Sequence, residues 1–276
     1  MRKVSVIILR AAGTNCDYET AFAFQKVGAK TDSVHINQLV RGEKELKNYQ
    51  ILAIPGGFTY GDDIASGKIL ANELKHKLED EVRRFIQNGK LIIGICNGFQ
   101  VLVKAGLLPN LGARFQIEAT LTLNNSARFE DRWVYLKKMD SGCIWTKKLP
   151  DEIIYLPVAH GEGKFVAKNE TILRLLDSEG LNVFKYADEK GGFGEYPANP
   201  NGSVENIAGI CDQTGRIFGL MPHPERHIHY TQNPRWTRLP VLGKSGKITF
   251  GGQASKKEGD GLAIFKSGVD YAKKML

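Results

Sequence analysis

Leu91-Ile92-Ile93-Gly94-Ile95-Cys96-Asn97-Gly98-Phe99-Gln100 is the stretch on which the reading of this 276-residue chain turns. Leu91–Ile95 is a short apolar run preceded by the turn pair Asn88-Gly89, the pattern of a buried strand. Phe99, Val101, Leu102 and Val103 follow with the look of a helix. Between the two lies G-x-C-x-G, the thiol counterpart of the strand–elbow–helix turn that presents a nucleophilic serine. Its glycines suit a turn too crowded for neighbouring Cβ atoms. A thiol at a helix N-terminus feels the positive end of the helix dipole, which favours the thiolate. The N–H of Asn97 is then placed to stabilise an oxyanion. A buried structural cysteine at a tight turn is the competing reading of the same residues.

Outward from this segment, the first half alternates strand and helix. Residues 3–9 read as a buried strand. Asp17 reads as the N-cap of a helix carrying Ala21, Phe22, Phe24, Gln25 and Val27 and ending at Gly28. Thr31–Ile36 and Gln50–Ile54 read as strands, the second stopped by Pro55-Gly56-Gly57. A polar loop, Phe58–Gly67, leads into one long helix over Ile69–Gln87. Such alternation predicts a parallel, doubly wound sheet. Residues 117–137 and 153–220 read as successive short strands, an antiparallel extension on one edge. Residues 226–258 form a basic connection holding Arg226, Arg235, Arg238, Lys244, Lys247, Lys256 and Lys257 against Glu258. Residues 261–275 close the chain as an amphipathic helix, and 1–276 reads as one domain.

Composition narrows the class. The chain is 42% hydrophobic and 25% charged, which excludes a disordered or collagen-like protein. The run Val6–Leu9 stops at Arg10, far short of a secretory core or membrane span, so a soluble cytoplasmic protein is expected. Cys16, Cys96, Cys143 and Cys211 form no C-x-x-C pair, which fits a reducing compartment with free thiols. Net charge is +8, but 38 basic and 30 acidic residues are interleaved without an aromatic-laced stripe. No nucleic acid partner is expected; the excess reads as a solvated surface with one docking face.

A thiolate needs a base. Met221-Pro222-His223-Pro224-Glu225 follows a strand at Ile217–Leu220, and in extended backbone residues i and i+2 face the same way. Prolines on both sides hold that backbone extended, so Glu225 can brace the His223 ring while its other nitrogen meets the thiol. A solvent-exposed turn is the plain alternative. His223, His227 and His229 are close in sequence, but the cysteines add no ligand pair, so no metal is expected. Pro55-Gly56-Gly57-Phe58 can aim N–H groups at an anion, yet Asp62-Asp63 stand where a phosphate loop needs Lys and Ser/Thr. The set fits acyl transfer without ATP on this chain.

Gly94–Gln100, Pro55–Asp63, Pro157-Val158-Ala159-His160-Gly161-Glu162-Gly163-Lys164-Phe165 and Gly219–Arg226 together resemble the class I glutamine amidotransferases. More narrowly, they resemble the glutaminase subunits of phosphoribosylformylglycinamidine synthases in purine biosynthesis. Gly13-Thr14-Asn15-Cys16-Asp17 also matches, although Ala11-Ala12 stand where a proline is usual. The resemblance implies a flavodoxin-like α/β fold, a mostly parallel sheet flanked by helices with an antiparallel edge extension. It implies Cys96 as nucleophile, His223 as acid and base, and Glu225 as its orienter. It also implies an oxyanion hole from Gly57 or Phe58 with Asn97, and a glutamine grip from Gln100 and Val158, Ala159, His160 and Gly161. No cofactor is implied on this chain. ATP and Mg are expected on a separate synthetase subunit, with a small third subunit bridging the two. The 226–258 connection occurs in only some members. A glutaminase serving another pathway, or a thiol hydrolase of the same fold, remains the alternative; Cys16 is the rival nucleophile, though no second glycine follows it.

Overall fold

The computed structural model describes residues 3–111, 115–242, 248–250 and 258–276. A nine-stranded sheet forms the frame. In chain order its strands are β1 (Ser5–Arg10), β2 (Lys30–His35), β3 (Ile51–Ile54), β4 (Leu91–Ile95), β6 (Glu130–Lys138), β7 (Ile153–His160), β9 (Asn182–Ala187), β10 (Ile207–Cys211) and β11 (Ile217–Leu220). The spatial order is β2-β1-β3-β4-β11-β10-β9-β6-β7. Two short pairs lie beside it, β5 (Ala119–Thr122) with β8 (Lys164–Ala167) and β12 (Pro240–Leu242) with β13 (Ile248–Phe250).

The doubly wound reading holds for one half of this sheet. β2, β1, β3, β4 and β11 run parallel, and the helices α1 (Asp17–Lys26), α2 (Ile36–Val40), α3 (Lys68–Lys77), α4 (Glu79–Gln87) and α5 (Asn97–Lys104) fall between them in sequence. β3 and β4 are buried at every residue, as central strands covered on both faces must be. From β11 outward the pairing turns antiparallel through β10, β9, β6 and β7, which is the expected edge extension. The closing helix α7 (Leu262–Met275) packs Phe265 edge-on against Phe24 of α1.

Three local expectations are corrected, and the basic connection is located in part. Asp17 does not cap α1: Cys16 stands at the cap without a side-chain bond, while the buried Asp17 pairs with Arg10 at 2.7 Å. The long helix over 69–87 breaks at Leu78, where Glu79-Asp80-Glu81 start a new first turn and suit its dipole. Within the stretch read as strands, 170–178 is helical: α6 (Glu170–Ser178) is capped by Asn169, whose side chain accepts from the Ile172 N–H at 3.0 Å. Within the basic 226–258 connection, two cations have partners. Arg226 turns inward onto Glu19 at 2.8 Å, and Arg235 lies 5.6 Å over the Tyr155 ring. Lys244, Lys247, Lys256 and Lys257 lie outside the described residues.

The topology matters for what it delivers. β4 sits between β3 and β11, all three parallel, so their C-terminal ends open on one crevice. That is where ligands bind in open α/β sheets. Gly56 and Gly57 leave β3, Cys96 leaves β4 and His223 leaves β11.

Candidate active site

Cys96 takes φ 51° and ψ −105°, a backbone state that non-glycine residues hold only under duress. Neighbours fix it there. Its N–H donates to the Leu220 carbonyl of β11 at 2.8 Å, and its carbonyl accepts from Phe99 and Gln100 as α5 begins. The glycines beside it are packing requirements. A Cβ on Gly98 would stand 1.9 Å from the Ile54 carbonyl oxygen, backbone that cannot swing away. Gly98→Ala should therefore destabilise the fold by about 3 kcal/mol or more, by overpacking against a rigid strand. Thermal or denaturant unfolding checks this, and a variant as stable as the parent would refute the close packing.

The three expected reacting groups come together. His223 is 1% exposed, its N–H donates to the Pro157 carbonyl at 2.8 Å, and its Nδ1 pairs with Glu225 Oε1 at 2.6 Å. Its other nitrogen, Nε2, faces the Cys16 and Cys96 thiols. Burial alone would lower the His223 pKa, but the Glu225 carboxylate and then the charge of Cys96 hold it well above the usual histidine value. The Cys96 thiol points toward the Ala159 carbonyl oxygen at 3.6 Å.

Gly56 explains how this crowding is possible. A Cβ there would lie 2.8 Å from His223 Cε1, 3.1 Å from Cys16 Sγ and 3.4 Å from Cys96 Cβ. Both thiols thus border the same gap as the imidazole. Cys16 is 1% exposed; burial raises its pKa, against a hydrogen bond with His223 that lowers it. Arg226 Nη2 donates to its sulfur at 3.2 Å, and the thiol itself reaches Asn15 Oδ1 at 3.3 Å. Cys16, Glu19, His223 and Glu225 offer ligand atoms within 4.8 Å of one another, but the Arg226 guanidinium already fills the cation's place between Cys16 and Glu19. The neighbouring histidines of the sequence go elsewhere: His227 Nδ1 meets the Tyr155 carbonyl and His229 stacks on Phe22.

The two oxyanion candidates separate. Phe58 donates its N–H to the Gly13 carbonyl at 3.0 Å, so it is already spent. Gly57, at φ 139°, bridges to Thr14 and follows directly on the gap between the thiols and His223. Asn97 stands first in α5, and its side chain ties the elbow to the glycine loop. Thr59 Oγ1 donates to Asn97 Oδ1 at 2.7 Å, while Asn97 Nδ2 donates to Asp62 Oδ1 at 3.1 Å.

The expected glutamine grip is reshaped. Gln100 is 3% exposed with its amide already spent: Oε1 accepts from Asn97 at 3.0 Å, and Nε2 donates to the Glu162 carbonyl at 2.6 Å. It braces the site from behind. Along β7 alternate residues face opposite ways, so Val158 and His160 point into the interior, fully buried or nearly so. His160 sits between Asn124 Oδ1 and Asn201 Nδ2, and burial, aided by the charge of His223, lowers its pKa to about 3. It is a neutral packing group. Ala159 remains at the site, its carbonyl facing the Cys96 thiol, whereas the Gly161 carbonyl already accepts from the Asn124 N–H at 2.9 Å. Sequence reading missed the partners of this strip, Asn124, Asn201 and Glu162, because each is remote in sequence from the residue it holds.

Comparison with known proteins places the chain in a family. The CobB/CobQ-like glutamine amidotransferase domain matches residues 3–272. A "phosphoribosylformylglycinamidine synthase subunit PurQ" of Dehalococcoides mccartyi is 48% identical over 277 residues, covering 100% of both chains. The protein of the same name from Methanococcus maripaludis is 45% identical, over 98% of this chain and 97% of that one. Among solved structures, PurLQS from Thermotoga maritima superposes with a TM-score of 0.70 at 28% identity, over 98% of this chain and 99% of that one. With the elbow, the braced histidine and end-to-end identity of this order, the chain belongs to the CobB/CobQ-like glutamine amidotransferases, and among them to the PurQ family of phosphoribosylformylglycinamidine synthase subunits.

Proposed function

We propose that the chain hydrolyses glutamine to glutamate and ammonia through Cys96, His223 and Glu225, and hands the ammonia to a synthetase subunit. That subunit holds ATP and Mg and makes formylglycinamidine ribonucleotide from formylglycinamide ribonucleotide, with a small third subunit bridging the complex. The chain works as one glutamine amidotransferase domain over 1–276, in the cytoplasm, without nucleic acid or membrane as partner. Among the described residues no helix is long and apolar enough to cross a membrane.

The chemistry follows from the groups in place. Cys96 gives its thiol proton to His223 as its sulfur attacks the side-chain carbonyl carbon of glutamine, and the carbonyl oxygen takes the electron pair. The N–H groups of Gly57 and Asn97 receive that oxyanion. His223, kept protonated beside Glu225, gives its proton to the departing ammonia as the carbon–nitrogen bond breaks. Neutral His223 then takes a proton from water, whose oxygen cleaves the glutamyl thioester and frees Cys96. Glutamine lies along the Ala159–Gly161 backbone, which Gln100 supports through Glu162.

One observation carries this reading: a cysteine held at φ 51° on the elbow, facing a buried imidazole braced at 2.6 Å by a carboxylate. Acid quenching during glutamine turnover should trap a glutamyl thioester, and peptide mapping should place it on Cys96. A thioester on the peptide of Cys16, Cys143 or Cys211 would refute the assignment.

A further inference from the structure

α5 carries three polar side chains on one face, at positions 97, 100 and 104, although all eight of its residues are buried. Asn97 and Gln100 were placed above. Lys104, 7% exposed, sends its Nζ to the Ser66 carbonyl at 2.6 Å and to Glu162 Oε2 at 3.4 Å. The same Glu162 oxygen accepts the Ser66 N–H at 3.2 Å. Lys104 therefore ties two separate segments to the back of the nucleophile's helix. One is the loop after Gly57; the other is the 159–163 turn whose Ala159 carbonyl faces the Cys96 thiol.

The loop needs such a tie. Between Gly57 and Gly67, three non-glycine residues take left-handed backbone: Tyr60 at φ 55°, Asp62 at φ 55° and Ile64 at φ 71°. For a β-branched residue that state is a true outlier, and Ile64 is 87% exposed, so no packing of its own side chain enforces it. What holds the loop's polar side is the stripe on α5, through Thr59 and Asp62 on Asn97 and through Ser66 on Lys104. Burial lowers the Lys104 pKa and raises that of Asp62, and the Glu162 charge opposes the first shift and adds to the second. The cluster is thus a compact, mutually dependent set of charges.

We propose that Lys104 is a positioning residue for the oxyanion hole: by clamping Ser66 and Glu162 it holds the strained 58–67 loop, and with it the Gly57 N–H, in register with Cys96. This rests on the glutaminase reading above. Only a long cation fits the task, since one ammonium must serve a carbonyl and a carboxylate from different segments.

The test uses the full chain assembled with its synthetase. Lys104→Met should lower kcat for glutamine about 100-fold, the scale of a misplaced oxyanion donor, with KM within about threefold. Alkylation of Cys96 by iodoacetamide displaces iodide and forms no oxyanion, so its rate in Lys104→Met should stay within about twofold of the parent. Lys104→Arg should restore most of kcat. Unchanged turnover in Lys104→Met, or alkylation falling in parallel with turnover, would overturn the proposal. Should Lys104→Met not fold, Glu162→Gln keeps the packing and a neutral acceptor; it should lose about tenfold in kcat with KM preserved, and full activity there overturns the proposal equally. Failure of the glutaminase reading looks different: parent enzyme alkylated at Cys96 would still hydrolyse glutamine.

Discussion

Cys96→Ala abolishes glutamine-dependent synthesis, by about 10⁴-fold or more, while synthesis driven by free ammonia survives in the assembled complex. The size of the loss follows from the geometry. The sulfur is the only group at the elbow that can form the covalent intermediate, and the residual rate rests on the oxyanion N–H groups alone. Survival of the ammonia reaction follows from the division of labour, since the ATP-dependent step belongs to the synthetase. Cys16 is the control that matters. It borders the same gap and is near His223, yet its sulfur is engaged by Arg226 and Asn15 and it sits on no strained elbow. Cys16→Ser should lose no more than about tenfold, and Cys143→Ser and Cys211→Ser, buried in the core, should act on stability rather than turnover. Parallel assays of glutamine- and ammonia-dependent product formation decide it. Equal loss with both nitrogen sources would mean that Cys96 supports the assembly rather than the chemistry.

What was legible in the sequence was whatever chemistry compresses into a short window. G-x-C-x-G, H-P-E and P-G-G each set local backbone and a polar or reactive group within a few residues, and the parallel sheet brings the three to one crevice. H-P-E makes its pairing across a 3-10 turn at Pro224–Arg226 rather than along the extended backbone expected of it. Elements went astray where a local cue was overlooked. Asn169 followed by Ile172, Leu173, Leu175 and Leu176 carries a cap and an apolar face, which is α6. The acidic triplet Glu79-Asp80-Glu81 marks a fresh helix start inside what reads as one helix. The site's supports were illegible for a different reason. Glu162 meets Gln100 and Lys104 across 62 and 58 positions, and Asn201 meets His160 across 41. Nothing at those spacings announces a contact until the fold exists. One signal was present: Asn97, Gln100 and Lys104 share a helix face beside Phe99, Val101, Leu102 and Val103. Polar residues on a helix that must be buried need partners, and that need points to the loop they hold.

His223→Ala should cost about 10³–10⁴ in kcat, Glu225→Ala about 10–100, and the double variant no more than His223→Ala alone. The non-additivity is the substance of the claim. Glu225 is buried, its Oε1 lies 2.6 Å from His223 Nδ1, and a group that acts only by holding an imidazole has nothing left to hold once the ring is gone. Fully additive losses would mean that Glu225 meets substrate directly. The pH profile gives a second, independent reading of the same pair. Burial pushes the His223 pKa down, and the charges of Glu225 and Cys96 overcome it, so the ring keeps its proton above the usual histidine range. The acid that releases ammonia is therefore present at neutral pH and is lost only as pH rises through that elevated value. The alkaline limb of kcat/KM should lie above about 6.5, the ordinary histidine value. Glu225→Gln keeps the shape but removes the charge that contributes most to the rise, so burial gains ground and the limb moves to lower pH. A limb that stays in place in Glu225→Gln would assign the alkaline ionisation to another group and detach Glu225 from the acid.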